Sequence, residues 1–279
     1  MNRICNIRNQ LRYGGVSSNK STNISTKTSH FEKKNTMENI NRQKIPQKIT
    51  FPKQPEYKIL SGEYVKLQQL KEQDMSTLYN LSHNTNSDKE IWNYMLKGPF
   101  DNIMAMSQYY QSVQDKGSLV FCVYNQNTNI PIGIICLMDI QMAHSSIEFG
   151  GIWYAKEFQG TKVNTEAIYL LLKYCIDELG FRRVVWKCDD DNQKSKTAAV
   201  RLGFTYEGLF KNHMIIVKNN LTYNRDTAWY RLLTKDWGLI KQNYTTWLYA
   251  KVDQHQSLTR LNLMSLPRTK YGNTIVSKL

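Results

Sequence analysis

One stretch of the sequence combines a glycine with residues that commonly begin a helix, and this combination could bind a phosphate group. Residues 157–167 read EFQGTKVNTEA and look like a glycine-rich loop that leads into a helix. Backbone N–H groups and the helix dipole at such a position attract anions. Lys162 stands where a loop of this kind usually has a second glycine. The stretch is therefore either a phosphate-binding turn with one residue changed or an ordinary helix start.

A second stretch, residues 146–155, places a carboxylate beside two glycines in a predicted strand. Gly150 and Gly151 interrupt the strand, and paired glycines there mark either a bend or a close approach of a ligand to the backbone. Glu148 precedes them on a strand that should be central. A carboxylate in that place needs a cationic partner or a chemical role. Taken alone, Glu148 is better explained by a salt bridge.

The elements that would position these residues follow from hydrophobic periodicity and turn residues. Strands are predicted at 63–70, 119–124, 130–141, 146–155, 183–188, 205–217 and 226–233. Helices are predicted at 73–82, 87–95, 101–116, 163–179, 192–202 and 236–249. Asp101 is the expected N-cap of the third helix, and Ile147, Phe149 and Trp153 are expected on one face of their strand. This order predicts an α+β fold with a long helix crossing between the strands at 146–155 and 183–188.

The charge distribution separates two tails from a folded part. The chain has 279 residues and a net charge of +14, yet residues 54–253 contain 22 Lys and Arg against 21 acidic residues. Residues 1–53 are predicted to form a disordered basic tail, and residues 251–279 a C-terminal extension. The near-neutral part at 54–250 does not support a specific nucleic-acid partner.

Both ends of the chain carry candidate targeting signals. The C-terminus ends Ser277-Lys278-Leu279, the tripeptide that the peroxisomal import receptor binds. The N-terminal tail is compatible with a mitochondrial transit peptide or with a basic tail of no targeting role. We expect a peroxisomal location first, the cytoplasm second and the mitochondrion third.

Cysteine, histidine and apolar patterns set further limits. The five cysteines form no CxxC pair and the histidines are scattered, so no metal site is expected. The longest apolar run, residues 131–138, is too short to span a membrane. The five cysteines without a paired motif favour a reduced compartment.

Several short motifs, in one order along the chain, match a known family. The matching pieces are GEYVKLQQL at 62–70, PIG at 131–133, IEFGGIWY at 147–154, FQGTKVNTEA at 158–167, ELGFRRVVWKCD at 178–189, NQKS at 192–195, RLGFTYEG at 201–208 and NRDTAWY at 224–230. Residues 54–250 thus resemble a GNAT N-acetyltransferase of the RimJ/RimL-like branch, the ribosomal-protein-alanine acetyltransferases. The resemblance implies a GNAT fold, with a mixed, mostly antiparallel sheet of about seven strands flanked by helices.

The resemblance also implies a reaction and a co-substrate. Members move an acetyl group from acetyl-CoA directly to a primary amine, either a protein N-terminus or a small molecule. Two splayed central strands hold the pantetheine arm, and a strand bulge frees a backbone N–H for the thioester carbonyl. Glu148 matches the family's general base. The implied acetyl-CoA contacts are Gly150, Gly151, Ile152, Gln159, Gly160, Thr161, Lys162, Val163, Asn164, Asn192 and Ser195.

Protonation of the departing thiolate requires a further donor. Many family members use a tyrosine at the position that Ala199 occupies here. In the RimL-like branch a serine of an N-x-x-S motif can take this role, and Asn192 to Ser195 matches that motif. Asn192 is the expected helix cap, and Ser195 is either the proton donor or a hydroxyl without chemistry. His213 is a weaker candidate for a substrate contact.

The glycine loop departs from the family pattern at two positions. Reading the motif from Gln159 puts Lys162 and Asn164 where the family has small residues. Lysine is costly if position 162 needs a positive φ and harmless if the residue is already helical. Asn164 could cap the helix. The altered loop favours one alternative function, a catalytically weakened GNAT-like module that binds CoA or a partner.

Overall fold

Eight strands form one mixed sheet in the computed structural model, which describes residues 50–218 and 221–249. The strands are β1 (Leu60–Ser61), β2 (Val65–Gln69), β3 (Leu119–Asn125), β4 (Pro131–Gln141), β5 (Ser146–Tyr154), β6 (Arg183–Asp189), β7 (Thr205–Lys218) and β8 (Leu221–Leu233). Their order across the sheet is β1-β2-β3-β4-β5-β6-β8-β7. The predicted α+β fold is confirmed, and the strand beyond the expected seven is the two-residue edge strand β1.

Within the described residues, six α-helices accompany the sheet. They are α1 (Met75–His83), α2 (Asn86–Lys89), α3 (Ile103–Asp115), α4 (Lys162–Leu172), α5 (Gln193–Arg201) and α6 (Thr234–Tyr249). The chain after α4 continues as a π-helical segment, Lys173–Glu178, so the predicted helix at 163–179 is present with a change of winding. The predicted helix at 87–95 is much shorter than expected, because α2 gives way to a 3-10 turn at Glu90–Trp92.

Parallel pairing occurs between β5 and β6, and it is short. Their register extends from Ser146 opposite Arg183 to Phe149 opposite Trp186, whereas the other neighbouring strands pair antiparallel. Beyond Phe149 and Trp186 each strand continues without pairing to the other. The predicted opening between these two strands is therefore present, and it begins at Gly150.

A bulge in β5 changes which face its side chains occupy. Cys136 lies opposite Gly150 and Ile134 lies opposite Trp153, so β5 has one residue more than β4 between these pairs. Phe149 packs with the cluster of α4 and α6, whereas Trp153 packs with the cluster of α1 and α3. The expectation that Trp153 shares a face with Ile147 and Phe149 was wrong, because the extra residue reverses the alternation.

One helix start also differs from its prediction. Asn102 rather than Asp101 caps α3, since the Asn102 side chain accepts a hydrogen bond from the backbone N–H of Ala105. Asp101 lies one residue earlier and keeps its side chain outside the helix. Either side chain can cap a helix, and the backbone conformation decides between them.

Glu166 connects α4 to the N-terminal turn and to the C-terminal helix. Its carboxylate is fully buried and accepts the backbone N–H groups of Glu63, Tyr64 and Val65 at 2.8, 2.6 and 2.7 Å. The Tyr249 hydroxyl donates a fourth hydrogen bond at 2.7 Å. The turn approaches so closely that a Cβ at Gly62 would lie 2.3 Å from the Glu166 Cδ atom. These donors compensate the cost of burying the charge.

Several sequence-based expectations lie outside the described residues. These are the basic tail with its candidate transit peptide, the Ser277-Lys278-Leu279 signal and the C-terminal extension. Within 50–218 and 221–249, no helix combines the length and the apolar character needed to cross a membrane.

We expect Glu166→Gln to lower the free energy of unfolding by about 3 kcal/mol, because it removes a buried charge that four donors share. Tyr249→Phe removes one of these donors, and we expect it to cost about 1 kcal/mol. Urea denaturation of the two variants beside the parent protein measures both values. A loss below about 1 kcal/mol in Glu166→Gln would contradict the structural role of this carboxylate.

Candidate active site

The opening between β5 and β6 begins beside Glu148. A Cβ at Gly150 would lie 2.4 Å from the Met138 Sδ atom and 3.2 Å from Glu148 Oε1. Gly151 has φ +58°, and a Cβ there would approach the Cys136 Sγ atom to 3.0 Å. Side chains at these two positions would therefore clash or strain the backbone. The two glycines thus let the Met138 and Cys136 side chains of β4 pack closely against β5, beside the point where β5 and β6 separate.

Glu148 forms a salt bridge with Lys187 across the sheet. The Lys187 ammonium lies 2.6 Å from one Glu148 oxygen, and the two side chains are only 12% and 16% exposed for Glu148 and Lys187. The same ammonium lies 2.9 Å from the Asp139 carboxylate and 4.2 Å from the centre of the Trp229 ring. We call these three groups around the ammonium, Glu148, Asp139 and Trp229, the Lys187 cage.

Strand register explains how the Lys187 cage forms. Glu148 on β5 lies opposite Met138 on β4 and opposite Val185 on β6. Lys187 follows Val185 by two residues on β6, so it shares a face of the sheet with Glu148. Trp229 on β8 lies directly opposite Lys187. Three neighbouring strands thus bring the carboxylate, the ammonium and the indole together.

The environment of the Lys187 cage shifts the pKa values of its members. Burial raises the pKa of Glu148, and the charge of Lys187 offsets only part of this effect. Burial alone would lower the pKa of Lys187, but the Glu148 and Asp139 carboxylates outweigh it and leave that pKa raised. The hydrogen bond from Lys187 lowers the pKa of Asp139. Glu148 is therefore the carboxylate of this group that binds a proton most readily.

Ser195 lies on the other side of the opening. The Trp186 indole N–H donates to its Oγ atom at 3.0 Å, and Trp186 is the last residue of β6 that pairs with β5. Asn192 caps α5 as predicted, since its side chain accepts the backbone N–H of Ser195 at 3.0 Å. Burial raises the pKa of the neighbouring Cys188 thiol to about 11, although a hydrogen bond with Ser195 acts in the opposite direction.

The glycine loop keeps the backbone geometry of a turn that leads into a helix. Gly160 has φ +73°, and a Cβ there would meet nothing within 4 Å. Thr161 is the N-cap of α4, because its side chain accepts the backbone N–H of Val163 at 3.3 Å. The Gln159 amide donates to the Tyr154 carbonyl at 3.0 Å, which ties the loop to the end of β5. The loop and the start of α4 remain exposed to solvent up to Thr161.

Asn164 does not cap α4, so that prediction was wrong. Thr161 caps the helix, and Asn164 lies inside the first turn. The Asn164 Oδ1 atom is buried and has no hydrogen-bond partner within the described residues. Thr161 takes the capping position because the turn ends at Gly160, the residue directly before it.

Lys162 is the first residue of α4, so position 162 is helical and does not need a positive φ. Its ammonium donates to the Tyr64 hydroxyl at 2.8 Å and to the Leu248 carbonyl at 3.0 Å. It also lies 4.8 Å from the centre of the Tyr64 ring and 5.9 Å from that of Trp247. Lysine at this position is therefore conformationally inexpensive, and its charge is directed to the chain near β2 and to the end of α6.

His213, the remaining candidate residue, and two carboxylates that follow Lys187 lie around the site. The His213 ring lies 5.8 Å from the Trp229 ring, and its Nδ1 atom is 3.0 Å from the Thr227 hydroxyl. His213 therefore borders the Lys187 cage without entering it. Asp189 lies 3.8 Å from Arg225, and Asp190 pairs with Lys196 at 2.9 Å. These carboxylates have partners within the chain.

Sequence reasoning missed three members of the site, namely Lys187, Asp139 and Trp229. The alternation within Arg183–Asp189 places Lys187 on the face opposite Trp186, and this signal was available. Asp139 could not be found in this way, because it adopts φ +46° at a register shift in β4. Among the described residues, no group of three or more His, Cys, Asp or Glu side chains could hold a metal ion.

Comparison with known proteins identified a matching family model and similar solved structures. Residues 65–205 match the family model described as an acetyltransferase (GNAT) domain. A solved structure of a GCN5-related N-acetyltransferase from Brucella melitensis is 31% identical in sequence and has a TM-score of 0.69. The alignment covers 75% of this chain and 94% of the Brucella chain.

Two curated relatives are similar over shorter regions. A Bacillus subtilis (strain 168) protein, YdaF, provisionally named a ribosomal N-acetyltransferase, is 31% identical over 105 residues, which are 38% of this chain and 55% of that protein. The match thus spans about half the length of YdaF. The spermidine N(1)-acetyltransferase of Escherichia coli (strain K12) is 25% identical over 56% of this chain and 81% of its own length.

We expect Lys162→Met to lower the free energy of unfolding by about 1–2 kcal/mol, because it removes two hydrogen bonds of a charged donor and keeps most of the side chain. Affinity for acetyl-CoA, measured by calorimetry, should change by less than about threefold, since the ammonium is already bonded within the chain. Thr161→Val is the matched control, because it removes the helix cap at the preceding residue. A tenfold loss of affinity in Lys162→Met alone would instead place the lysine on the phosphates.

Proposed function

The chain belongs to the GNAT acetyltransferase family, and from this premise we propose that it transfers an acetyl group from acetyl-CoA to a primary amine. The observation that carries the proposal is the position of Glu148, a buried carboxylate already bonded to an ammonium group at 2.6 Å. That carboxylate lies at the point where β5 and β6 separate. A carboxylate that binds an ammonium beside a substrate channel can remove its proton.

The residues present fit acetyl-CoA as the co-substrate. The opening between β5 and β6 offers unpaired backbone to a pantetheine arm, and Gly151, with its left-handed backbone, lies where the opening begins. The exposed start of α4, with Gly160 before it and Thr161 as its cap, presents a helix N-terminus to a pyrophosphate. The buried Asn164 Oδ1 atom, which has no partner among the described residues, could accept a donor from the same ligand.

Three groups of the chain would then each take part in one step of the acetyl transfer. Glu148 accepts a proton from the acceptor ammonium, which makes the nitrogen nucleophilic. The bulge in β5 frees backbone N–H groups near Gly151, and these can stabilise negative charge on the thioester oxygen. Ser195 accepts the Trp186 indole N–H, so its own hydroxyl proton can be directed to the departing sulfur.

The acceptor that this site favours is a primary amine carried on a flexible chain. The Lys187 cage consists of two carboxylates and an aromatic ring, which together bind a primary ammonium in the structure itself. Two of the relatives described above are named a spermidine N(1)-acetyltransferase and a ribosomal N-acetyltransferase. A transfer assay with acetyl-CoA and a panel of peptides, polyamines and small amines tests the proposal.

We expect Glu148→Gln to reduce the turnover of an accepted amine by about 100-fold or more, because the variant cannot accept the proton. Its affinity for acetyl-CoA should stay within about twofold of the parent value, since the amide preserves shape. Stopped assays of CoA release and calorimetric titration with acetyl-CoA measure the two quantities.

Asp139→Asn is the matched control for Glu148→Gln, because Asp139 contacts the same ammonium from β4. We expect it to reduce turnover by less than about tenfold. Turnover in Glu148→Gln equal to that of the parent would remove Glu148 from the role of base. No binding of acetyl-CoA at high micromolar concentration would refute the proposed function as a whole.

The pH dependence should report the raised pKa of Glu148. The carboxylate must be ionised to act as a base, so activity should fall as the pH drops through a pKa above that of an ordinary glutamate. Lys187→Met removes the charge that lowers this pKa, so the acidic limb should move to higher pH. Lys187→Arg keeps the charge and should leave the limb in place. A limb at the same pH in Lys187→Arg and in Lys187→Met would contradict this assignment.

A further inference from the structure

We propose that Lys187 is an intramolecular acceptor and that the protein acetylates this residue at its own active site. The inference rests on the proposed function, because it needs the same donor and the same base. It differs in naming a modification site within the chain. The product would be the Nε-acetyl derivative of Lys187.

The first argument is the contact between Lys187 and the proposed base. The Lys187 Nζ atom lies 2.6 Å from a Glu148 oxygen, which is hydrogen-bond distance for proton transfer. Asp139 at 2.9 Å and the Trp229 ring at 4.2 Å hold the ammonium in this place. The side chain thus stands where an external acceptor amine would have to bind to reach Glu148.

The second argument is the position of Lys187 along the opening. Lys187 follows Trp186, the last residue of β6 that pairs with β5. Glu148 Oε1 lies within 3.2 Å of the Cβ position of Gly150, where β5 leaves β6. The amine and the start of the opening are therefore separated by little more than one carboxylate group. The flexible lysine stem can turn the nitrogen toward the opening once Glu148 has taken its proton.

Other described lysines near the site have different partners. Lys196 pairs with Asp190 at 2.9 Å, Lys211 pairs with Asp226 at 2.7 Å, and Lys162 donates to Tyr64. Within the described part of the chain, the ion-pair partner of Glu148 is Lys187. Selective modification of Lys187 follows from this difference, because the base acts on the amine that it touches.

The transfer step balances without any further reactant. Glu148 takes one proton from the Lys187 ammonium, and the freed nitrogen lone pair forms a bond to the acetyl carbonyl carbon. The carbon–sulfur bond breaks, and its electron pair leaves with the sulfur of CoA. The second nitrogen proton passes to that sulfur and gives the thiol, while Glu148 releases its proton to solvent. The products are the amide at Lys187, free CoA and one proton.

Acetylation would also change the Lys187 cage. The amide carries no charge, so Glu148 and Asp139 would lose the ammonium that they share. The modified side chain is longer and could not keep the same contacts. Glu148 and Asp139 would then be free to bind the ammonium of an external amine. Acetylation of Lys187 would in this way affect the binding of the acceptor.

The test is incubation of the full-length protein with isotopically labelled acetyl-CoA and no added amine. Intact-mass measurement should show the gain of one acetyl group, and peptide mapping should place it on Lys187. The rate per molecule should not depend on protein concentration, because the step is intramolecular. Lys187→Arg should lose the label at this site, and Glu148→Gln should slow its appearance by about 100-fold. Lys211→Arg, the matched control at an exposed lysine that pairs with Asp226 outside the cage, should keep the labelling at Lys187.

The outcomes separate this inference from the proposed function. Label at Lys187 with the expected dependence on Glu148 supports the inference, even if no external amine is accepted. Transfer to an external amine with no label on Lys187 overturns it and leaves the proposed function intact. Labelling that is spread over surface lysines, or equally fast in Glu148→Gln, also overturns it. A protein that binds no acetyl-CoA in calorimetry refutes both.

Discussion

The short parallel pairing between β5 and β6 is the constraint on which the site depends. The two strands share backbone hydrogen bonds up to Phe149 and Trp186 and then separate. A bulge with Gly151 in a left-handed conformation turns β5 away, and α5 begins soon after β6 ends. Backbone groups left unpaired inside a sheet are costly unless a ligand or water satisfies them. The separation is thus best understood as a binding feature of the sheet.

The start of α4 is held from two directions. The buried carboxylate of Glu166 binds the turn before β2, and Lys162, one turn earlier on the same helix, bonds to Tyr64 in that turn. Both side chains also reach the end of α6, through Tyr249 and Leu248 respectively. A glycine in the family pattern could not make such contacts. Lysine at position 162 therefore connects the start of α4 to the turn before β2 and to the end of α6.

The sequence left two roles open for Glu148, a salt bridge or a general base, and the Lys187 cage is compatible with both. The residue has the salt bridge expected of a buried carboxylate, and it stands at the place expected of a base. These roles are compatible, because an ammonium held against a carboxylate is also the reactant state of an amine acceptor. Burial raises the pKa of the carboxylate while the ammonium restrains that rise. One set of contacts therefore serves stability and fits the proposed chemistry.

The order of the elements along the chain, the helix between β5 and β6 and the family could all be predicted from the sequence. Local signals sufficed, since alternation, paired glycines and short motifs are properties of neighbouring residues. The partners of Lys162 and Glu148 are known only from the fold. Tyr64 and Leu248 meet Lys162 because α4 packs against the turn before β2 and against α6, whereas Lys187 meets Glu148 through strand register. The tertiary structure also decided that Thr161 and Asn102 cap their helices and that Trp153 changes face. Those outcomes depend on the backbone path at single residues, where several side chains are equally suitable.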